Sequence, residues 1–200
     1  MELFSASDLV KKTCKQLKYL RRKEKVVTQE QLSGEEYQHK LAQTLVGANE
    51  EMKTTFICQG ADITIFACHD IVTDKFIAEI KDTSKFEVKE YYKQKSLLQA
   101  AFYKSLLMES NGILTTPEFR IQQGFEPKTM TVDKNIDYIL MFGNEKYNIE
   151  VGDSFSIVYY FVKKALMSLE SYNTIEEYER LHKHKEFEEL QGCFKYTRTN

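Results

Sequence analysis

Two hundred residues, 42% of them hydrophobic and 29% charged, suffice for one domain with a packed core, and two prolines and eight glycines leave little room for flexible linkers. The longest apolar runs, 138–142 and 155–162, fall far short of the ~20 residues of a membrane-spanning helix, and residues 1–12 lack the apolar stretch of a secretory signal. These features exclude a helical membrane protein and predict an intracellular one with no membrane partner.

The net charge of −2 gives no global attraction for a polyanion, yet the charge is uneven: residues 1–25 carry eight Lys and Arg against three acids. Residues 7–23 have helical spacing, with Leu9, Val10, Cys14, Leu17 and Leu20 on the apolar side, and Ser7 as cap. Lys11, Lys15, Lys18 and Arg22 of this helix are candidate contacts to a phosphate backbone. A second helix is predicted over 35–52. The texture then turns β-branched and aromatic, with strands over 55–58 and 63–68, a polar turn over 69–75 and a strand over 76–80. A long helix follows over 88–109, then short strands over 119–122, 129–132, 138–142 and 146–151, and closing helices over 154–169 and 175–190. This order predicts one α/β or α+β domain over 1–200, a mixed central sheet flanked by helices. Its parts are a helical N-terminal portion (1–53), a catalytic core (54–110) and the remaining strands and helices (111–200).

The chemistry concentrates in residues 60–83, GADITIFACHDIVTDKFIAEIKDT. Period-2 alternation places Glu79 and Lys81 on one face of their strand, with Ala78 and Ile80 on the other. A hairpin folding at 69–75 is expected to bring Asp62 beside that pair. Asp70 and Asp74 fall within the expected turn, where acidic residues are common anyway. Two carboxylates and an ammonium suit phosphodiester hydrolysis: Mg²⁺ takes one or two carboxylates and keeps several waters, and a lysine can orient the attacking water. An isolated Glu-x-Lys on a strand is ordinarily a surface ion pair.

The order of motifs adds to this. Gly-Ala-Asp62, an apolar strand, a turn and a strand ending Glu79-Ile80-Lys81 resembles the core of the PD-(D/E)XK nuclease superfamily. Gln99-Ala-Ala-Phe-Tyr103 resembles the Q-x-x-x-Y motif of its RecB-like, lambda-exonuclease-like branch, and Gly34…His39 resembles that branch's Gly…His motif. The resemblance spans roughly residues 4–107. It implies a restriction-endonuclease-like fold and a Mg²⁺- or Mn²⁺-dependent nuclease acting on DNA, exonuclease-like. His39, Asp62, Glu79 and the carbonyl of Ile80 would hold metal. Lys81 would position water, with Gln99 and Tyr103 supporting it or the substrate. Ring-forming relatives make a homo-oligomer conceivable.

Two other readings stand beside this one. An endonuclease on the same core, cutting DNA or RNA, would use the same residues, and linear against circular substrates separate the two. A catalytically silent nucleic-acid-binding protein is the third, against which the grouped like charges argue, since they repel without a cation. The iron–sulfur members of the branch use one early and three late cysteines. Here Cys14 and Cys193 stand at the two ends, while Cys58 and Cys68 belong to the strands, so no iron–sulfur cluster is expected. His182 and His184, two apart on a helix, face different sides.

Overall fold

The computed structural model describes residues 1–20, 48–83, 90–182 and 185–199. His39 and Arg22, and residues 35–47 of the helix predicted over 35–52, lie outside them.

The chain enters as a short strand, β1 (Glu2–Ser5), and turns directly into helix α1 (Ala6–Lys11). Helix α2 (Cys14–Leu20) follows after a break, where one continuous helix was expected. A capping box causes the break. The Gln16 backbone N–H donates to Thr13 Oγ1 (3.3 Å), and the Thr13 N–H donates to Gln16 Oε1 (2.9 Å). The expected helix over 35–52 also ends differently, because Asn49–Cys58 forms strand β2.

A 3₁₀ turn leads into β3 (Ile63–Val72), and β4 (Phe76–Lys81) returns antiparallel to it. Helix α3 (Glu90–Glu109) comes next, with its predicted stripe of Leu97, Leu98, Ala101, Phe102, Leu106 and Leu107 fully buried. Strand β5 (Ile113–Thr115), helix α4 (Glu118–Gln122) and β6 (Thr129–Thr131) follow, so 119–122 is helical where a strand was expected. Pro117 sits at the N-cap of α4, its fixed φ of −64° suited to starting a helix. Strands β7 (Asp137–Phe142) and β8 (Glu145–Val151) form a hairpin. Helices α5 (Ser154–Met167), α6 (Tyr172–His182) and α7 (Glu186–Leu190), and strand β9 (Phe194–Thr199), complete the described chain.

The strands join in one mixed sheet ordered β6-β5-β2-β3-β4-β7-β8-β9, with β1 added parallel to β3. Helix α3 lies across it, against β2, β3, β7 and β8, and α5 backs α3. Phe102 stacks on Phe161 between the two helices at 4.0 Å between ring centroids. The main core fills this layer, and a smaller cluster of Ile71, Ala78 and Ile80 lies apart from it. The fold is thus the α/β arrangement expected, a mixed sheet flanked by helices. Among the described residues no helix is long and apolar enough to cross a membrane.

One topological detail positions everything that follows. Strand β3 carries β1 along Ile63–Phe66 and β4 only at Ile71–Val72. With β2 along its length as the other neighbour, β1 and β4 share one edge and leave a gap between them. Chain leaving β1 at Ser5 becomes α1 beside this gap, and α1 packs on both β3 and α3.

Candidate metal centre

Antiparallel register sets which acid meets Glu79. Ile71 pairs with Ala78, so the next position along the ladder sets Asp70 against Glu79. The ladder stops there. Instead of strand pairing, the Ile80 N–H donates to Asp70 Oδ2 at 2.7 Å, so a carboxylate takes the place of a backbone acceptor. Strand β2 is distorted opposite this point: Glu51 has φ 48°, and the β2–β3 ladder skips the Glu51–Asp70 pair.

Asp62 is elsewhere, which corrects the expectation that it pairs with Glu79. Eight residues of extended strand separate it from Asp70, about 26 Å at 3.3 Å per residue. Its side chain is 76% exposed and pairs with the N-terminal amine at 3.0 Å. The cause lies in the length of β3. The run His69–Val72, expected as turn, continues the strand, and the hairpin bends at Thr73 instead, whose hydroxyl accepts from the Phe76 N–H at 2.9 Å. Sequence reasoning therefore passed over Asp70. The signal was there: odd positions Ile63, Ile65, Ala67 and Ile71 keep the β alternation through it, and hairpin loops are usually two to five residues.

Glu79 is 2% exposed. Its Oε1 accepts from Gln99 Nε2 at 2.7 Å and from Lys81 Nζ, while Oε2 is buried without a hydrogen-bond partner. Buried carboxylate oxygens rarely go unsatisfied, because desolvation there costs about 1–3 kcal/mol or more. Burial and then the Glu79 charge hold the Asp70 carboxyl well above the usual carboxylate range, against the opposing pull of Lys81 and the Ile80 N–H. At Lys81 burial favours the neutral amine, but Glu79 and Asp70 together overcome it and keep the ammonium. The structure brings Glu79, Lys81 and Gln99 together: the three side chains form one hydrogen-bonded unit.

Tyr103 lies one helical turn beyond Gln99, 4% exposed, with its ring edge-on to His69 at 5.7 Å. Its phenol bonds Ser7 of α1, and burial, then the charges of Glu79 and Asp70, keep it protonated. Among the described residues its ring contact is with His69, and it shares the helix face of Gln99. His69 was not singled out from the sequence. It is fully buried, bonding Thr54 Oγ1 through Nε2 (2.7 Å) and Tyr138 OH through Nδ1 (2.9 Å), and burial pushes its pKa down to about 3.

The lysines predicted to meet a polyanion divide. Lys15 Nζ pairs with Glu176 (2.5 Å) and Lys18 Nζ donates to the carbonyls of Leu169 (3.3 Å) and Glu170, so both tie α2 to the C-terminal helices. Both thus have partners within the chain, where α2 packs against α6. Lys11 stays exposed at the end of α1, and burial of its surroundings and the Lys81 ammonium push its pKa down to about 8.

Among the described residues no group of three or more His, Cys, Asp or Glu side chains is placed to hold one ion. Asp70 and Glu79, with the Ile80 carbonyl next to Glu79 in sequence, supply two carboxylates, within the one or two that Mg²⁺ ordinarily takes. The orphaned Oε2, with the Asp70 carboxyl on the facing strand position, fits a cation as the missing partner. All four cysteines are free thiols.

No family model and no curated protein matches the chain. Among solved structures it is similar to the one described as "Crystal structure of SSO0001", at 16% sequence identity and a TM-score of 0.46, over 86% of this chain and 78% of that one.

Proposed function

We propose that the protein is a metal-dependent nuclease whose centre is built from Asp70, Glu79, the Ile80 carbonyl and Lys81. One observation carries the reading: a buried Glu79 oxygen with no partner stands across the strand pair from the half-buried Asp70 carboxyl, whose ionisation its surroundings oppose. Like charges held together out of water are relieved by a proton or by a cation, and a metal ion would satisfy the Glu79 oxygen that Lys81 and Gln99 leave open. The order Asp70, Glu79-Ile-Lys81, Gln99 supports it too, since it matches the PD-(D/E)XK arrangement once Asp70 replaces Asp62.

Asp70, Glu79 and the Ile80 carbonyl would hold Mg²⁺ or Mn²⁺, with His39, outside the described residues, as a further candidate. Bound there, the ion polarises a phosphoryl oxygen and lowers the pKa of its water. Gln99 and Lys81 hold Oε1 of Glu79 in a fixed orientation and leave Oε2 as the open acceptor. The Lys81 ammonium is the donor for the attacking water or a phosphate oxygen. DNA, and an exonuclease-like action on it, remain parts of the proposal that rest on the resemblance.

The test is cleavage of end-labelled linear and circular DNA with Mg²⁺, with Mn²⁺ and with EDTA. Cleavage with either metal and none with EDTA is expected. Equal inactivity, or activity indifferent to EDTA, would sink the reading.

A further inference from the structure

Helix α3 leads from the metal centre into a trough. Gln99 bonds Glu79, and Lys95, one turn earlier on the same face, donates to the Val10 carbonyl of α1 at 2.8 Å. Lys95 also lines a cavity of about 230 Å³, together with Lys11 and Lys12 at the end of α1. The far wall of this cavity is Tyr160, Tyr178 and His182, and the same three residues line a second cavity of about 200 Å³ that continues outward to Tyr159 and Lys163. The two spaces therefore adjoin at these three side chains, and the first opens one helical turn from the Gln99 bond to Glu79.

The outer end is an aromatic platform on α5. Phe155 and Tyr159 are 69% and 60% exposed, although large aromatic rings ordinarily bury most of their surface. They lie four residues apart, with ring planes 13° from parallel and centroids 6.0 Å apart, and Lys163 comes a further turn along the same face. The trough also contains carboxylates, each with a partner inside the protein, and Glu186 is the one offset there by ammonium groups among the described residues. Glu186 pairs with Lys164 (2.8 Å) and Lys95 (3.7 Å), Glu189 with His182 (3.1 Å), and Glu179 accepts the Lys15 N–H (3.0 Å). Among the described residues no acid pairs with Lys11, Lys12 or Lys163, so the cations left to meet a ligand lie at both ends of the trough.

Alternating lysines and open aromatic faces are what a single strand requires: ammonium groups follow the phosphates while unpaired bases stack on rings. A duplex keeps its base faces covered and gains only the phosphate contacts. We infer that the trough from Lys11 and Lys12 to Phe155, Tyr159 and Lys163 is a binding track for single-stranded nucleic acid, delivering it to the Asp70–Glu79 centre. This rests on the nuclease reading only for what happens at the inner end.

Fluorescence anisotropy in EDTA tests it without cleavage, with labelled oligothymidylate longer than one footprint (about 16 nucleotides) against a duplex of equal length. The double variant Phe155→Ala/Tyr159→Ala is expected to lose about tenfold or more in affinity for the single strand, and Tyr159→Trp to keep it. Duplex binding changes less than about twofold, and Lys163→Ala lowers the slope of log affinity against log salt by about 0.7 on the single strand. Both rings being exposed, unfolding temperatures stay at the wild-type value. Wild-type affinity in the double variant, an equal loss on duplex, or no single-strand binding by the wild type would each overturn the track. If the platform binds strands that no metal causes to be cut, the nuclease reading fails and the track stands. If cutting depends on metal while the double variant binds normally, the reverse holds.

Discussion

Asp70→Asn is expected to reduce metal-dependent cleavage by more than about a hundredfold, while Asp62→Asn cleaves at the wild-type rate. Loss of an outer partner of a metal ligand already costs about 10–100-fold, so loss of a ligand costs more. Asp62 serves as the internal control because it lies at the other end of β3, exposed and paired with the N-terminal amine. A melting experiment separates loss of function from loss of fold, because the two move in opposite directions. The folded Asp70 carboxyl has its pKa raised by burial and by Glu79. For a carboxyl raised in this way, the cost to the fold is absent at low pH, appears as pH passes the ordinary carboxylate range and is present at neutral pH. Asparagine carries no charge and keeps an acceptor for the Ile80 N–H. Metal-free Asp70→Asn should therefore melt above metal-free wild type at pH 7. A lower melting temperature together with lost activity would mean that Asp70 is structural.

The second large effect belongs to His69. It is held between Thr54 and Tyr138 with its pKa pushed down to about 3, whereas an unfolded histidine titrates near 6.5. Above about pH 6.5 both states are neutral and the group contributes nothing to the pH dependence. As pH falls below that, the unfolded chain binds a proton that the folded chain refuses, and stability drops by up to about 1.4 kcal/mol per unit until pH nears 3. Urea unfolding of wild type should thus lose about 2–3 kcal/mol more between pH 6.5 and 4.5 than His69→Gln, which cannot titrate. Parallel pH profiles for the two proteins would contradict the account of His69 as a buried neutral base.

What the sequence made legible follows from how local each signal is. The α3 helix could be read from its long run of apolar and helix-favouring residues free of Gly and Pro, and the structure buries Ser96 to Leu107 on every face, the six predicted positions among them. Glu79 and Lys81 shared a face by simple alternation, and Gln99 met them because its helix returns over their strand. Asp70 was hidden by a polar dipeptide: His69-Asp70 reads as the start of a turn when neither burial nor partner is visible. His69 is held in the strand by pairing with Met52 of β2 and is buried by its bonds to Thr54 and Tyr138, partners 15 and 69 positions away. Strand β1 has four residues and β5 three, too short for any period to show, and β9 (FKYTRT) forms by pairing with β8 while five of its six residues stay exposed. The capping box at Thr13 and Gln16 was visible in the sequence, and continuous apolar spacing across it masked the break.

Binding of Mn²⁺ to the protein, followed by titration calorimetry without nucleic acid, is the most direct test of whether Asp70 and Glu79 form a metal centre. The account predicts saturable binding by wild type and by Asp62→Asn, and loss of that binding in Asp70→Asn and in Glu79→Gln. Binding that survives both of the latter substitutions, or that disappears in Asp62→Asn, would contradict it.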